Sequence, residues 1–173
     1  MRRARRGVPA ADAARRAAAA CARLVDSPWY APPRGLVTYV ACDGEIDPDG
    51  VTRVALDAGI AVYVPATASG DFVLLGGPTD KSSVLPPDGD GVLFVVPGVA
   101  FDLRGTRLGR GGGWYDQALA RYPRGVRVGF AYDFQVVTQL PEASWDVRMH
   151  AVVTDARLVG EATASLGQRR TTS

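Results

Sequence analysis

The stretch of sequence that most restricts the fold is residues 92–119, VLFVVPGVAFDLRGTRLGRGGGWYDQAL. It begins with the uninterrupted apolar run Val92–Val96, which is typical of a parallel strand covered on both faces. A loop rich in glycine follows, and a helix is predicted over Tyr115–Tyr122. A buried strand that leads through a glycine loop into a helix indicates an α/β fold.

Strands and helices alternate in the rest of the chain as well. One helix is predicted over Ala10–Val25, which is rich in alanine and has Pro9 at its start. A second is predicted between Asp47-Pro48, as N-cap and first helical residue, and Gly59. The further predicted strands are Leu36–Ala41, Ile60–Val64 (stopped by Pro65), Phe72–Leu75, Val126–Ala131 and Ala151–Thr154.

This alternation predicts a three-layer α/β/α fold with a mostly parallel sheet. Residues 79–91 are rich in Pro, Gly, Asp and Ser and are predicted to form an exposed loop. We expect residues 1–160 to form a single domain and residues 161–173 to be a polar tail that frays. Ligands of such sheets bind at the carboxyl ends of the strands, here the segments 42–47 and 97–116.

The composition is that of an ordinary globular protein. The chain has 173 residues, of which 47% are hydrophobic and 22% charged, so wholesale disorder and a fibrous repeat are excluded. Apolar runs are too short to span a membrane, and arginines interrupt the N-terminal alanines where a secretory signal needs an apolar core. Cys21 and Cys42 supply neither a disulfide framework nor a zinc site. We expect a cytoplasmic monomer or weak homo-oligomer with no membrane partner.

The charge is distributed unevenly along the chain. Residues 1–25 carry seven arginines against the single acid Asp12, although the net charge of the whole chain is only +2. The preferred interpretation is the solvated face of an N-terminal helix, with RNA binding as the alternative. Because no aromatic residues are interleaved with these arginines for base stacking, we predict no nucleic-acid partner.

The glycine loop carries the clearest chemical signal. Glycine lets backbone amides approach an anion closely, and a helix N-terminus adds free N–H groups. The four loop glycines are Gly109, Gly111, Gly112 and Gly113. Arg107 and Arg110 add guanidinium groups suited to phosphate oxygens, and Asp116 in the first helical turn is suited to Mg²⁺. No Walker A lysine follows, and Trp114 breaks the dinucleotide fingerprint, so the residues alone indicate a polyphosphate site of no standard type.

The same stretch resembles the signature of the 5-formyltetrahydrofolate cyclo-ligase (methenyltetrahydrofolate synthetase) family. That signature reads P-G-x-x-F-D and then G-x-R-L-G-x-G-x-G-[YW]-Y-D, and residues 97–116 match it almost throughout. The resemblance continues in the acidic turn Gly44–Asp47, in residues 131–146 with a glutamine, a Leu-Pro pair and a later aspartate, and in residues 151–155. It implies the family's fold over about residues 7–158.

The resemblance implies an activity that depends on ATP and Mg²⁺. In the family, the formyl oxygen of 5-formyltetrahydrofolate attacks the γ-phosphate, and a neighbouring amine then closes the ring to give 5,10-methenyltetrahydrofolate, ADP and phosphate. The nine residues implied to wrap the ATP phosphates are Arg107, Leu108, Gly109, Arg110, Gly111, Gly112, Gly113, Trp114 and Tyr115. Of these, Arg110 and Tyr115 are implied to be catalytic, and Arg110 to Trp114 also to face the formyl group.

Three further groups of residues receive roles from the resemblance. Asp116 and Asp146 match the two acids that hold magnesium. Glu45 and Val40 match substrate contacts, and Phe101 is either a flat wall for the substrate or a core residue. The family's basic N-terminal residues reach the nucleotide, and here Arg2, Arg3, Arg5 and Arg6 either take that role or the contact is missing.

Two departures from the family pattern leave other functions open. Pro65-Ala66 replaces a common Pro-Arg pair, and residues 70–90 are short where the family shapes its pterin pocket. One alternative is a divergent paralogue that cyclises or phosphorylates another formyl- or carbonyl-amine. The other is a module that binds nucleotide or folate without catalysis.

Overall fold

The computed structural model describes residues 1–66, 68–77 and 85–160. The helices are α1 (Arg2–Arg6), α2 (Ala10–Val25), α3 (Asp49–Asp57) and α4 (Trp114–Ala120). The strands are β1 (Gly35–Val37), β2 (Ala61–Ala66), β3 (Asp71–Gly76), β4 (Val92–Pro97), β5 (Ala100–Asp102), β6 (Arg107–Leu108), β7 (Val126–Ala131), β8 (Val136–Val137), β9 (Ala151–Thr154) and β10 (Leu158–Val159).

The large sheet has seven strands in the order β10-β9-β7-β4-β1-β2-β3. The inner strands are mutually parallel, and the edge strands β3 and β10 run antiparallel to their neighbours. The predicted α/β class with a mostly parallel sheet is therefore confirmed. The antiparallel edges fit short connections, because a hairpin needs only a few residues whereas a parallel crossover needs a dozen or more.

Helices cover both faces of this sheet. On one face, Ala20 and Leu24 of α2 and Val51 of α3 are fully buried against the sheet. On the other face, Leu119 of α4 packs with Phe94 of β4 in a second core cluster. The three-layer arrangement follows from the continuous apolar sequence of β4, all of whose residues are buried.

The connection that follows β1 and the connection that follows β4 run toward opposite edges of the sheet. The chain passes from β1 through α3 to β2 on one side, and from β4 through α4 to β7 on the other. A cleft opens outside the carboxyl ends of two strands where the winding direction reverses, and ligands of open α/β sheets bind there. The segments that follow β1 and β4 are the two that the sequence places at strand ends.

A second sheet lies beside this cleft. It has three short strands in the order β6-β5-β8, with β5 antiparallel to β6 and parallel to β8. Its strands β5 and β6 lie within residues 97–116, where no strand was predicted from the sequence. Strands of two or three residues are too short to show the alternating pattern from which a strand is recognised.

Three predicted boundaries are also wrong. The first strand ends at Val37 rather than Ala41, because residues 38–47 turn away to form one wall of the cleft. Pro48 is the N-cap of α3 and Asp49 its first residue, although the Asp47 Oδ1 atom still accepts a hydrogen bond of 3.0 Å from the Asp49 amide. Pro65 does not stop β2, because β1 pairs with β2 only as far as Tyr63 and the missing N–H is tolerated beyond that point.

Other predicted elements agree with the structure. The helix Ala10–Val25 and the strands Val126–Ala131 and Ala151–Thr154 have the predicted bounds. Of the predicted loop 79–91, residues 85–91 contain turns, and residues 79–84 lie outside the described residues, as does the tail 161–173. No helix in the described ranges is long and apolar enough to cross a membrane.

Candidate active site

A cavity of about 560 Å³ lies at the carboxyl ends of β1 and β4. Four segments form its walls: residues 39–45 after β1, Val64 and Pro65 near the end of β2, residues 97–116 after β4, and residues 141–146. Its lining includes Val40, Glu45, Arg107, Leu108, Gly109, Arg110, Gly111, Gly112, Gly113, Trp114, Tyr115, Asp116 and Asp146. Of the residues assigned to the site from the sequence, all but Phe101 line this one cavity.

The glycine loop presents open backbone to the cavity. Gly111 and Gly113 have positive φ angles of 95° and 64°, which side chains rarely allow. A Cβ atom added to Gly111 or Gly112 would meet no atom within 4 Å, whereas one added to Gly109 would lie 2.7 Å from Arg107 Nη1. The loop therefore leaves space beside its peptide groups just before α4 begins, which is the geometry that an anion needs.

Arg107 is a buried cation beneath this loop. Its Nη2 atom donates a 2.8 Å hydrogen bond to Asp116 Oδ2, and its guanidinium carbon lies 5.2 Å from the centre of the Tyr115 ring. The other carboxylate oxygen of Asp116 accepts a hydrogen bond of 3.3 Å from the Val147 amide. Asp116 therefore joins the start of α4 to the segment that carries Asp146.

The two aspartates expected to hold magnesium lie on the walls of the same cavity. One Asp146 oxygen, Oδ2, accepts a 2.8 Å hydrogen bond from the Ala143 amide, which fixes the orientation of that carboxylate. Within the described residues no group of three or more His, Cys, Asp or Glu side chains is placed to hold a metal. Two carboxylates suit Mg²⁺, which usually takes its remaining ligands from water and from substrate phosphates.

Arg110 reaches across the cavity mouth to the loop after β1. Its Nη2 atom lies 3.0 Å from Glu45 Oε1 and 3.1 Å from the Cys42 sulfur. The hydrogen bonds to Cys42 and to Glu45 raise the pKa of the Arg110 guanidinium above its usual value. The arginine expected at the phosphates and the acid expected at the organic substrate are thus in direct contact in this structure.

The two aromatic residues of the motif are packed at the first turn of α4. The Trp114 ring meets Phe72 and Tyr115 edge to face, with centroid distances of 5.4 and 5.0 Å. Burial raises the pKa of the Tyr115 hydroxyl far above its usual value. Tyr115 therefore remains protonated at physiological pH, so it acts as a neutral hydrogen-bonding group rather than as a base.

The rim of the cavity is apolar. Val40, Leu108 and Trp145 are exposed, the first by 72% and the last by 76%. Phe101 is not part of this wall: it is fully buried, and a Cβ atom added to Gly98 or Gly129 would clash with its ring. Phe101 is a core residue because β5 places its side chain against the large sheet, so its assignment to the substrate is wrong.

Asp102 is a structural residue that the sequence analysis did not identify. It is fully buried and accepts hydrogen bonds from the Leu140 and Thr106 amides at 3.0 and 2.9 Å and from Arg104 Nη2 at 2.8 Å. Burial acts to raise the pKa of this carboxyl, but the hydrogen bonds outweigh burial and the pKa is lowered. In the sequence, Asp102 is the aspartate of the F-D pair in the motif at residues 97–116, and this position could have drawn attention to it.

The N-terminal arginines contact the loop after β1. Arg2 and Arg6 pair with the Asp43 carboxylate, and Arg5 is buried and reaches Glu45 and the Gly98 carbonyl. These contacts were missed because an arginine-rich stretch normally indicates a solvated surface. The helix α1 on which they lie has only five residues and no apolar periodicity.

Comparison with known proteins gives the same family as the motif at residues 97–116. The 5-formyltetrahydrofolate cyclo-ligase family matches residues 75–155. The 5-formyltetrahydrofolate cyclo-ligase of Escherichia coli K12 is 31% identical over 160 residues, which cover 80% of this chain and 87% of that protein.

Two solved structures resemble this fold. The 5,10-methenyltetrahydrofolate synthetase of Aquifex aeolicus superimposes with a TM-score of 0.74 at 27% identity, over 99% of this chain and 92% of that one. The synthetase of the same name from Mycoplasma pneumoniae has a TM-score of 0.72 at 21% identity, over 89% of this chain and 93% of that one, and supports the fold alone.

Proposed function

This chain belongs to the 5-formyltetrahydrofolate cyclo-ligase family, and from that premise we propose that it converts 5-formyltetrahydrofolate into 5,10-methenyltetrahydrofolate with cleavage of ATP. The observation that carries the proposal is the convergence of Glu45, Arg110, the glycine loop and two aspartates on one cavity. These groups come from three separate segments of the chain, so chance does not readily explain their common location.

ATP would bind through the glycine loop. The open faces of Gly111 and Gly112 allow phosphate oxygens to approach the backbone amides, and Arg110 supplies an exposed cation at the same place. Arg107 is less available, because its Nη2 atom already donates to Asp116. Arg107 therefore supports the loop and adds positive potential from below.

Magnesium would be held by Asp116 and Asp146. Each carboxylate already accepts at least one hydrogen bond from the protein, which orients it while leaving lone pairs for the ion. The bound ion would neutralise charge on the triphosphate during phosphoryl transfer.

The folate substrate would lie between Glu45 and the apolar rim. The Glu45 carboxylate would accept hydrogen bonds from the N–H groups of the pterin ring, and Val40 would contact its apolar face. The formyl oxygen would then bond to the γ-phosphorus as the bond to the departing ADP oxygen breaks. The neighbouring amine next attacks the formyl carbon and loses its proton, and phosphate leaves with the former formyl oxygen.

The protein contributes mainly position and charge to this reaction. Arg110 is the residue best placed to neutralise the transferring phosphoryl group, since it is a cation on the exposed loop. Tyr115 stays protonated and would orient bound groups by donating a hydrogen bond. We further propose a cytoplasmic location, supported by two free cysteines, and activity as a monomer or weak homo-oligomer without nucleic acid.

The test follows formation of the methenyl chromophore on mixing the protein with 5-formyltetrahydrofolate, ATP and Mg²⁺. We expect turnover that requires all three components. Cleavage of ATP only with a different formyl-amine would indicate a divergent paralogue. Nucleotide or folate binding without ATP cleavage for any substrate would indicate a non-catalytic module and would contradict the proposal.

A further inference from the structure

Arg5 is a buried arginine below the cavity, on the short helix α1. Its Nη1 atom donates a 2.9 Å hydrogen bond to the Gly98 carbonyl, and its Nη2 atom donates one of 3.3 Å to the Asp43 carbonyl. Its side chain is only 1% exposed. Gly98 follows β4 and Asp43 follows β1, so one guanidinium joins the two loops that meet where the winding of the sheet reverses.

The Glu45 carboxylate lies between two arginines of different character. Its Oε1 atom is 3.0 Å from Arg110 Nη2 and 3.7 Å from Arg5 Nη1. The Arg110 side chain is 46% exposed on a loop with open space around it, whereas Arg5 is enclosed and held by two backbone carbonyls. One of the two cations is therefore free to leave Glu45, and the other is fixed.

The proposed reaction makes conflicting demands on Arg110. At the triphosphate it neutralises phosphoryl charge, and this moves its guanidinium away from Glu45. A carboxylate that is largely buried and loses its only cation is poorly stabilised. Since Arg5 cannot move with the loop, it remains beside Glu45 after Arg110 has left.

We propose that Arg5 is a positioning residue for the organic substrate: it holds the Glu45 carboxylate in place when the Arg110 guanidinium moves to the triphosphate. This role rests on the proposed function. The role also differs from the nucleotide contact expected of the N-terminal arginines.

The experiment is a double-mutant cycle with Arg5→Gln, Glu45→Gln and the combined variant, measuring KM for 5-formyltetrahydrofolate and for ATP. We expect Arg5→Gln to raise the KM for the folate by about tenfold and to leave the KM for ATP within about twofold. In the Glu45→Gln background the same substitution should add less than about twofold, because its partner is already neutral. Arg5→Lys should recover part of the loss, since it keeps the charge.

Arg15→Gln is the matched control, because Arg15 is an exposed arginine paired with Asp12 on the solvent side of α2. It should change neither KM. Thermal unfolding of every variant separates loss of fold from loss of binding, and if Arg5→Gln does not fold, the cycle is run with Arg5→Met, which also removes the charge but keeps an unbranched apolar side chain.

Three outcomes would overturn the role. If the fold-changes that Arg5→Gln and Glu45→Gln cause in the KM for the folate simply multiply in the combined variant, Arg5 is a structural residue. An equal rise in the KM for ATP would make it a nucleotide contact. If the wild-type protein neither forms the methenyl product nor binds the folate, the proposed function is wrong and the role of Arg5 is wrong with it. The first two outcomes would contradict only the role of Arg5 and not the proposed function.

Discussion

The two halves of the motif at residues 97–116 differ in where they lie. The first half, residues 97–107, is mostly buried and forms two strands of the small sheet. In the second half, the loop residues 110–113 are exposed and have open space at Gly111 and Gly112. A single stretch of sequence thus combines a rigid support with an open loop, and variants in the two halves should fail in different ways.

The largest expected effect is on catalysis, from Asp116→Asn. Loss of the negative charge removes a proposed magnesium ligand and the ionic partner of Arg107, so we expect turnover to fall at least about a hundredfold. Steady-state kinetics over a range of Mg²⁺ concentrations measure this, with Asp49→Asn on the exposed surface of α3 as the control. Full activity at ordinary Mg²⁺ would exclude Asp116 from the metal site.

The next effect is on stability, from Asp102→Asn in the buried half. The amide cannot accept all the hydrogen bonds that the carboxylate accepts, so we expect the free energy of unfolding to fall by about 3 kcal/mol. The activity of the folded fraction should change little. Urea denaturation measures the loss, and an unchanged midpoint would contradict a supporting role for Asp102.

The loss of stability caused by Asp102→Asn should depend on pH. The pKa of Asp102 is lowered by folding, so its stabilisation is present above the unfolded value of about 3.9 and is lost as the pH falls through the folded value. The difference in urea midpoint between wild type and Asp102→Asn should therefore be constant near neutral pH and should narrow only in acid.

A smaller effect on binding is expected from Gly112→Val in the exposed half. A Cβ atom at this position meets nothing within 4 Å, so the fold has room for the side chain, but the branched group occupies space that phosphates need. We expect ATP affinity to fall by about tenfold or more with little change in melting temperature. A loss of about 1.4 kcal/mol in binding free energy corresponds to a tenfold loss of affinity. Calorimetric titration with ATP measures it, and unchanged affinity would place the triphosphate elsewhere.

The smallest effect is expected from Phe101→Leu, which tests the corrected position of that ring. Because Phe101 is a core residue, the substitution should lower the free energy of unfolding by about 1 kcal/mol through imperfect packing. The KM for the folate should stay unchanged. A raised KM in a fully stable variant would return Phe101 to the substrate pocket.

The sequence predicted elements that have a clear period and residues that belong to a specific motif. Helix α2 has an apolar stripe at helical spacing and strands β7 and β9 are short and mostly apolar, and their predicted bounds are confirmed. The glycine loop and Asp116 were located from the specific motif at residues 97–116, and Asp146 from the resemblance to the family, although their roles as ligands stay predictions. The common position of the segments 42–47 and 97–116 followed from the rule that parallel strands end at one edge of the sheet.

What the sequence did not predict depends on contacts between distant residues. Arg5 is indistinguishable in sequence from the exposed arginines beside it, and only the fold places it near Gly98, 93 positions along the chain. Asp102 is buried, and one of its hydrogen-bond donors is the amide of Leu140, which lies on another segment of the chain. Neither contact can be predicted from the local pattern of the sequence.

The contact between Arg110 and Glu45 has a thermodynamic consequence for how the binding of the two ligands is coupled. In the proposed binding mode, a guanidinium that contacts Glu45 would block that carboxylate from a pterin ring and would itself be kept from a phosphate. Whichever ligand bound first would separate the pair and so free the second group for the other ligand. Linkage requires this assistance to be equal in both directions, so each ligand should tighten the binding of the other by the same factor.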